Sequence, residues 1–198
     1  MSTFAGLALA YLIGAIPVGL IVARCAGVDI RRAGSGNIGA TNVLRTMGKL
    51  PAIATLLGDI AKGFLAVTAA RALAGAPFGE AVGAVIAIAG NCWPVFLRFR
   101  GGKGVGTGFG VFLALAPLAA GLSFVIWLIA TVSFRYVSLA SIVACLCLPL
   151  LMAWLGYPWA SIAASGATAA IITLRHWENL RRLASGREPR LGERASAA

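Results

Sequence analysis

Two glycine-rich segments of this chain contain the residue types that bind anions. Segment A, residues 34–45, reads GSGNIGATNVLR, and segment B, residues 101–108, reads GGKGVGTG. Glycine permits tight turns in which several backbone N–H groups point at one anion. Segment A adds hydroxyl, amide and guanidinium groups, and segment B adds a lysine ammonium. The candidate binding residues are Ser35, Gly36, Asn37, Thr41, Asn42, Arg45 and Lys103.

Neither segment matches a serine-hydrolase or nucleotide-hydrolysing motif. A nucleophile elbow needs a glycine two residues before its serine, where this chain has Ala33. A P-loop needs a glycine at position 97 and a hydroxyl residue after Lys103, but the chain has Leu97 and Gly104. The simpler alternatives are a tight turn before a helix for segment A and helix packing through small residues for segment B.

A third polar cluster lies in the sequence RHWENLRR, residues 175–182. If the preceding helix continues, His176 and Asn179 are at positions i and i+3 and share one helix face. His176 is the only histidine of the chain, and it is either a solvated residue at the membrane surface or a functional one. Ser138 and Ser141 bind substrate or, alternatively, cap and bridge helices.

The composition indicates that these segments belong to a membrane protein. Of the 198 residues, 60% are hydrophobic and 12% are charged, whereas an ordinary soluble domain has about 25% charged residues. A soluble domain of this size cannot bury so much apolar surface. The basic residues lie between apolar runs, which argues against nucleic acid as a partner. The length predicts one membrane-embedded domain over residues 1–198.

The sequence predicts an all-α integral membrane protein with seven transmembrane helices. A bilayer needs about 20 apolar helical residues for each crossing. The candidate spans are residues 4–24, 52–74, 80–97, 104–118, 120–134, 137–155 and 159–175. The fourth and fifth spans are short, about 24 Å each at a rise of 1.5 Å per residue. A shallow helical hairpin is the alternative for this pair.

The basic residues predict the orientation. Five lie between spans one and two, three between spans three and four, one between spans five and six, and six after span seven. Of the 17 basic residues, only Lys62 and Arg71 fall elsewhere. By the positive-inside rule these connections are cytoplasmic, so the N-terminus is outside and the C-terminus is cytoplasmic. The first span has no basic residue before it, which favours a retained helix over a cleaved signal.

The other polar residues within the apolar runs are expected to be structural. Asp59 and Lys62 are three residues apart in the second span and are predicted to pair with each other. The four cysteines form no C-x-x-C pair, and one histidine cannot complete a zinc site. We therefore expect neither a metal nor another cofactor.

The polar segments closely resemble those of the bacterial acyl-phosphate:glycerol-3-phosphate acyltransferases. The resemblance runs nearly end to end, through segment A, FRGGKGVGT (99–107), RYVSLASI (135–142) and HWENLRRLASGREPRL (176–191). Two positions depart from the usual family pattern. Asn91 stands where the family has histidine, and Gly106 stands where it has alanine.

The resemblance implies a multi-pass enzyme of the bacterial cytoplasmic (inner) membrane with its active site on the cytoplasmic side. It implies that a fatty acyl group moves from acyl phosphate to the 1-position of glycerol 3-phosphate, giving lysophosphatidic acid. The implied partners are membrane lipid, these two substrates and a soluble enzyme that forms the acyl phosphate. The alternative is a small anion transporter or channel, but all the strong polar groups lie on one predicted face, with no comparable set at the midplane.

The resemblance also implies roles for individual residues. Residues 35–42 are expected to cradle the acyl phosphate, and Ser35, His176 and Asn179 are the catalytic candidates. An acyl phosphate is already activated, so the acceptor hydroxyl can attack it directly when both substrates are held close. The hydroxyl proton then passes to His176, to Ser35 or to a substrate phosphate oxygen. The residues expected to hold the glycerol phosphate are Arg45, Lys103, Ser141, His176 and Asn179.

Overall fold

The computed structural model describes residues 2–193. Arg194, one of the six basic residues predicted to lie on the cytoplasmic side after span seven, is outside the described part of the chain. All the regular structure in that part is helical. The helices are α1 (Ser2–Gly14), α2 (Val18–Cys25), α3 (Ala40–Met47), α4 (Lys49–Ala74), α5 (Phe78–Cys92), α6 (Val105–Leu115), α7 (Pro117–Phe134), α8 (Val137–Trp154), α9 (Trp159–Arg175) and α10 (Trp177–Ala184). Single 3-10 turns cover Ile30–Arg32 and Val95–Leu97.

Every predicted span contains a helix, but the helices differ in length. Five helical segments of the described chain are long and apolar enough to cross a membrane, namely Ser2–Cys25, Lys49–Ala74, Phe78–Leu97, Pro117–Phe134 and Val137–Trp154. The helices α6 and α9 have 11 and 17 residues. At 1.5 Å per residue α6 is about 16 Å long, roughly half the thickness of a bilayer core. Seven full crossings and the orientation therefore remain predictions.

Two of the predicted spans differ in detail from the helices, and a proline accounts for each difference. The first span is two helices, since Pro17 has no N–H to donate and the chain breaks between Gly14 and Val18. The region 104–134 is not divided into two equal spans. Pro117 occupies the first position of α7, so α6 ends early and α7 has 18 residues.

The long helix α4 lies at the centre of the bundle and packs against α1, α5 and α6. Its contact with α6 depends on glycine, because a Cβ at Gly63 would lie 2.1 Å from the Thr107 carbonyl oxygen. A Cβ at Gly110 would lie 1.9 Å from the carbonyl oxygen of Ile60. This close approach fixes the start of α6, and with it segment B, against the middle of α4.

The two basic residues outside the predicted cytoplasmic connections are used inside the bundle. Lys62 forms the predicted ion pair with Asp59, with a distance of 2.7 Å from Nζ to Oδ1. Arg71 pairs with Glu80 on α5 and donates to the carbonyl oxygen of Ala114 at the end of α6. Large apolar side chains are exposed along the outer surface instead, for example Leu65, Val132 and Leu150. A bundle with this surface needs lipid around it.

Candidate active site

A cavity of about 500 Å³ lies between the helices and is lined by both glycine segments. Its lining is polar where loops and the short helices α3 and α10 contribute, and apolar where the interiors of α6, α7 and α8 contribute. We call these parts the polar half and the apolar half. The polar half is lined by Ser35, Asn37, Thr41, Arg45, Lys103, His176, Asn179, Arg182 and Glu188, and the apolar half by Phe109, Phe112, Phe124, Trp127 and Leu148. A site of this form fits a ligand with an anionic head and an apolar tail.

Segment A is organised by one of its own side chains, the amide of Asn42. The Asn42 Oδ1 atom accepts from the backbone N–H of Ser35 at 2.9 Å. The Nδ2 group donates to the carbonyl oxygens of Ala33 at 3.0 Å and Asn37 at 2.8 Å. A Cβ at Gly34 would lie 2.3 Å from Asn42 Oδ1, so only glycine fits over this amide. Asn42 also lines the cavity. Its amide supports the loop, and its predicted contact with the substrate stays a prediction.

The other candidates of segment A have different positions around this amide. Ser35, Asn37, Thr41 and Arg45 line the cavity, as the sequence predicted. Gly36 is not part of the cavity lining. It forms the turn of segment A, where its φ is +69°. Its predicted role as a direct binding residue is therefore not supported by its position.

Segment B is held from outside. Arg175 at the end of α9 donates to the carbonyl oxygens of Gly101 and Gly102, each at 3.1 Å. The N–H groups of the same two glycines donate to the carbonyl oxygens of Cys92 and Asn91 at the end of α5. These two N–H groups are used within the protein, so anion binding here depends mainly on Lys103 and the start of α6.

Lys103 belongs to a buried polar network. Its ammonium donates to Asn179 Oδ1, and Asn179 Nδ2 donates to Glu188 Oε1. Glu188 also accepts from Ser138 Oγ and Arg182 Nε, each at 2.7 Å. The amide of Asn179 thus joins Lys103 to Glu188 beside the cavity. Its predicted direct role in the reaction stays a prediction.

The charges of this network shift two pKa values. Burial and the neighbouring Arg182 guanidinium lower the pKa of Lys103 to about 8. Burial raises the pKa of Glu188, but hydrogen bonds from Asn179, Ser138 and Arg182 outweigh it, so the pKa lies below its ordinary value. Glu188 is therefore ionised at neutral pH, and Lys103 changes its charge close to the physiological range.

His176 lies at the break between α9 and α10 and is 4% exposed. The predicted continuous helix is interrupted here. Its Nδ1 atom is 2.7 Å from the carbonyl oxygen of Ile172. A carbonyl only accepts, so the proton is on Nδ1 and the lone pair is on Nε2. Burial lowers the pKa of His176 to about 4, which makes the imidazole a neutral, weakly basic hydrogen-bond acceptor.

Ser141 lies where the polar and apolar halves of the cavity meet. Its hydroxyl donates to the carbonyl oxygen of Val137 at 2.7 Å and accepts from Trp127 Nε1 at 3.2 Å. The Trp127 ring stacks on Phe124, and Phe124 contacts Phe109, with ring centroids 5.9 Å and 5.6 Å apart. These aromatic rings extend the cavity from Ser141 into the apolar interior.

Sequence reasoning assigned no role in the site to several polar lining residues, among them Asn91, Arg182 and Glu188. Glu188 had a usable signal, because it is the one acidic residue between Arg187 and Arg190 in a basic tail. The importance of Asn91 has no signal in its spacing, since it depends on contacts between distant helices. Within residues 2–193, no three His, Cys, Asp or Glu side chains are grouped as metal ligands would be.

The fold and cavity define a class: a helical integral membrane protein with one cavity that contains both cationic and apolar lining residues. The family model described as glycerol-3-phosphate acyltransferase matches residues 4–186. A glycerol-3-phosphate acyltransferase of Rubrobacter xylanophilus is 44% identical over 94% of both chains. A second, from Thermus thermophilus, is 48% identical over 96% of both chains. The chain belongs to the glycerol-3-phosphate acyltransferase family, which confirms the resemblance found in the sequence.

Two solved structures agree with this family. A crystal structure of PlsY (YgiH), an integral membrane glycerol 3-phosphate acyltransferase, in its glycerol 3-phosphate form, has a TM-score of 0.92. Its lysophosphatidic acid form has a TM-score of 0.90. Both are 39% identical in sequence and cover 97% of this chain and 96% of their own.

Proposed function

We propose that this protein transfers a fatty acyl group from acyl phosphate to the 1-hydroxyl of glycerol 3-phosphate. The products are lysophosphatidic acid and inorganic phosphate. The observation that carries the proposal is the two-part cavity, whose cationic half suits two phosphate groups and whose apolar half suits an acyl chain. The related PlsY structures are a glycerol 3-phosphate form and a lysophosphatidic acid form. The first ligand is a small phosphate anion, and the second combines a phosphate with an acyl chain.

Glycerol 3-phosphate binds in the part of the cavity between segment B and α9. Lys103 contacts its phosphate, and Arg45 adds a second cation that also donates to the carbonyl oxygen of Pro189. Asn179 and Glu188 hold the Lys103 ammonium in place. Charge-assisted hydrogen bonds of this kind contribute about 1.5–3 kcal/mol each.

The acyl phosphate binds at the turn of segment A, with its phosphate near Ser35, Asn37 and Thr41. Its acyl chain extends past Ser141 and Trp127 into the apolar half and towards lipid. The 1-hydroxyl oxygen attacks the acyl carbon, the new ester bond forms, and the bond from that carbon to the phosphate oxygen breaks. A mixed anhydride has a good leaving group, so the reaction needs no covalent enzyme intermediate.

His176 positions the acceptor hydroxyl. Its Nε2 lone pair accepts a hydrogen bond from the 1-hydroxyl, while the bond from Nδ1 to Ile172 fixes the ring. With a pKa of about 4 the imidazole is a poor proton acceptor at neutral pH. The hydroxyl proton passes instead to an oxygen of the departing phosphate, which gains basicity as the anhydride breaks.

The site faces the cytoplasm, where glycerol 3-phosphate and a soluble acyl-phosphate-forming enzyme are available. The basic residues of the connections support this orientation. A reporter enzyme that works only in the cytoplasm should be active when it is fused to the C-terminus. Activity of a periplasmic reporter at that position would refute the orientation.

The direct test uses purified protein in lipid, acyl phosphate and labelled glycerol 3-phosphate. The expected product is labelled lysophosphatidic acid with the acyl group on the 1-hydroxyl. A protein that forms no ester but moves labelled anions across proteoliposomes would be a transporter and would contradict the proposal.

A further inference from the structure

A fully paired ammonium lies between the helices beneath segment B. Lys62 on α4 is 5% exposed, and its Nζ atom has three acceptors. They are Asp59 Oδ1 at 2.7 Å, Asn91 Oδ1 at 2.9 Å and the carbonyl oxygen of Ile16 at 2.7 Å. An ammonium has three N–H donors and no acceptor, so this set uses all of them.

This pairing fixes the orientation of the Asn91 amide. Because Lys62 only donates, the amide oxygen of Asn91 faces it and the Nδ2 donor points elsewhere. Asn91 is 7% exposed and lines the cavity. Its Nδ2 group makes no hydrogen bond with an oxygen atom of residues 2–193. The neighbouring Cys92 thiol is only a weak acceptor for this donor. An oxygen atom of a ligand in the cavity would be a stronger acceptor.

The Nδ2 donor lies next to the residue that precedes Lys103. The N–H of Gly102 donates to the carbonyl oxygen of Asn91 at 3.0 Å. A Cβ at Gly102 would lie 3.0 Å from Asn91 Nδ2. The amide of Asn91 and the ammonium of Lys103 therefore flank the same short stretch of segment B and line the same cavity.

We propose that Asn91 is a further substrate-binding residue, whose Nδ2 group donates to a phosphate oxygen of glycerol 3-phosphate held at Lys103. Lys62 is a positioning residue that keeps the amide oxygen turned away from the ligand. Asp59 also lines the cavity, and Lys62 neutralises a carboxylate that would otherwise repel the phosphate. The inference rests on the proposed function and adds a specific contact to its acceptor site.

Three substitutions of Asn91 distinguish the role of its amide oxygen, which accepts from Lys62, from the role of its Nδ2 donor. Asn91→Leu removes both, Asn91→Asp keeps an acceptor for Lys62 but removes the donor, and Asn91→His restores one acceptor and one donor in a neutral ring. Asn91→Leu should raise the KM for glycerol 3-phosphate roughly tenfold, and Asn91→Asp roughly 100-fold, because the aspartate repels the phosphate. Asn91→His should stay within about threefold of the native protein, and the KM for acyl phosphate should change less than twofold in Asn91→Leu.

The matched control is Ser165→Ala on α9, where a buried hydroxyl outside the cavity lining donates to the carbonyl oxygen of Ile162 at 2.7 Å. It should lower the thermal midpoint without changing either KM. An unchanged KM for glycerol 3-phosphate in Asn91→Asp would overturn the inference, and this variant decides the matter if Asn91→Leu does not fold. An equal rise in the KM values of both substrates in Asn91→Leu would also overturn the inference.

A binding measurement keeps this inference separate from the proposed function. Native protein that binds glycerol 3-phosphate in calorimetry but transfers no acyl group would refute the proposed function alone. The Kd of Asn91→Asp for glycerol 3-phosphate then decides the role of Asn91. A large rise in Kd supports the contact, and a Kd within twofold of the native value overturns it.

Discussion

The two glycine segments of the cavity are stabilised in opposite ways. In segment A the supports are local: Asn42 makes three of the hydrogen bonds that shape the turn, and Asn37 Oδ1 accepts from the N–H of Gly39 at 2.8 Å. In segment B the supports come from distant elements, namely Arg175 on α9 and the backbone at the end of α5. Replacing Asn42 alone should therefore disrupt ligand binding by segment A. Replacing one support of segment B should weaken its ligand binding only partly.

The largest effect is expected for Asn42→Ala. The substitution removes the acceptor for Ser35 and the donors to Ala33 and Asn37, so the turn of segment A loses its internal support. Steady-state kinetics should show a loss of at least about 100-fold in kcat/KM, as for several buried hydrogen bonds lost together. The control Thr46→Val removes the hydroxyl bonds to the carbonyl oxygens of Asn42 and Val43 within α3 and should change activity less than about threefold. A loss under tenfold in Asn42→Ala would show that segment A has other support.

The next effect concerns His176, which distinguishes positioning from base catalysis. His176→Asn should retain measurable activity because an amide oxygen can also accept from the substrate hydroxyl, while His176→Ala should lose much more. A general base would contribute about 10²–10⁴-fold, and asparagine could not replace it. Because the pKa of His176 is about 4, the native pH–rate profile should have no histidine limb between pH 6 and 8. A limb near pH 6.5 that disappears in active His176→Asn would identify the imidazole as the base.

Lys103→Ala tests the charge of segment B. It should raise the KM for glycerol 3-phosphate roughly 10- to 100-fold, since a charge-assisted contact is lost, and leave the KM for acyl phosphate nearly unchanged. The native KM for glycerol 3-phosphate should rise above pH 8, because the pKa of Lys103 is about 8 and the neutral amine does not attract phosphate. Lys103→Arg should remove this rise, because arginine stays charged. If the KM values for both substrates are unchanged in Lys103→Ala, Lys103 has only a structural role.

The smallest effect is expected for Arg175→Lys, which loosens segment B from outside the cavity. Lysine keeps the charge but cannot bridge the carbonyl oxygens of Gly101 and Gly102 as the guanidinium does. The KM for glycerol 3-phosphate should rise about three- to tenfold, equivalent to one neutral hydrogen bond. A loss as large as that of Asn42→Ala would remove the difference between the two segments.

The sequence was sufficient for the family and for most of the polar cavity lining, but not for the hydrogen bonds within that lining. Helix positions followed from apolar runs, and the binding segments followed from glycine and polar residues at short spacing. The break at Pro17 was missed because the proline was read as part of a continuous apolar run. The fourth span was correctly predicted to be short, but the unequal lengths of α6 and α7 were not predicted. The occupied amide of Asn179 was missed because its partners, Lys103 and Glu188, are set by tertiary packing rather than by local spacing.

The donor is the central claim, and a competition assay tests it most directly. Purified protein in lipid receives glycerol 3-phosphate with equal amounts of acyl phosphate and acyl-CoA, whose acyl chains carry different isotopes. Mass spectrometry then reports which label enters lysophosphatidic acid, and a phosphate assay reports the released anion. We predict product labelled only from acyl phosphate, with one inorganic phosphate released for each lysophosphatidic acid formed. Product labelled from acyl-CoA, or ester formed without phosphate release, would contradict the account.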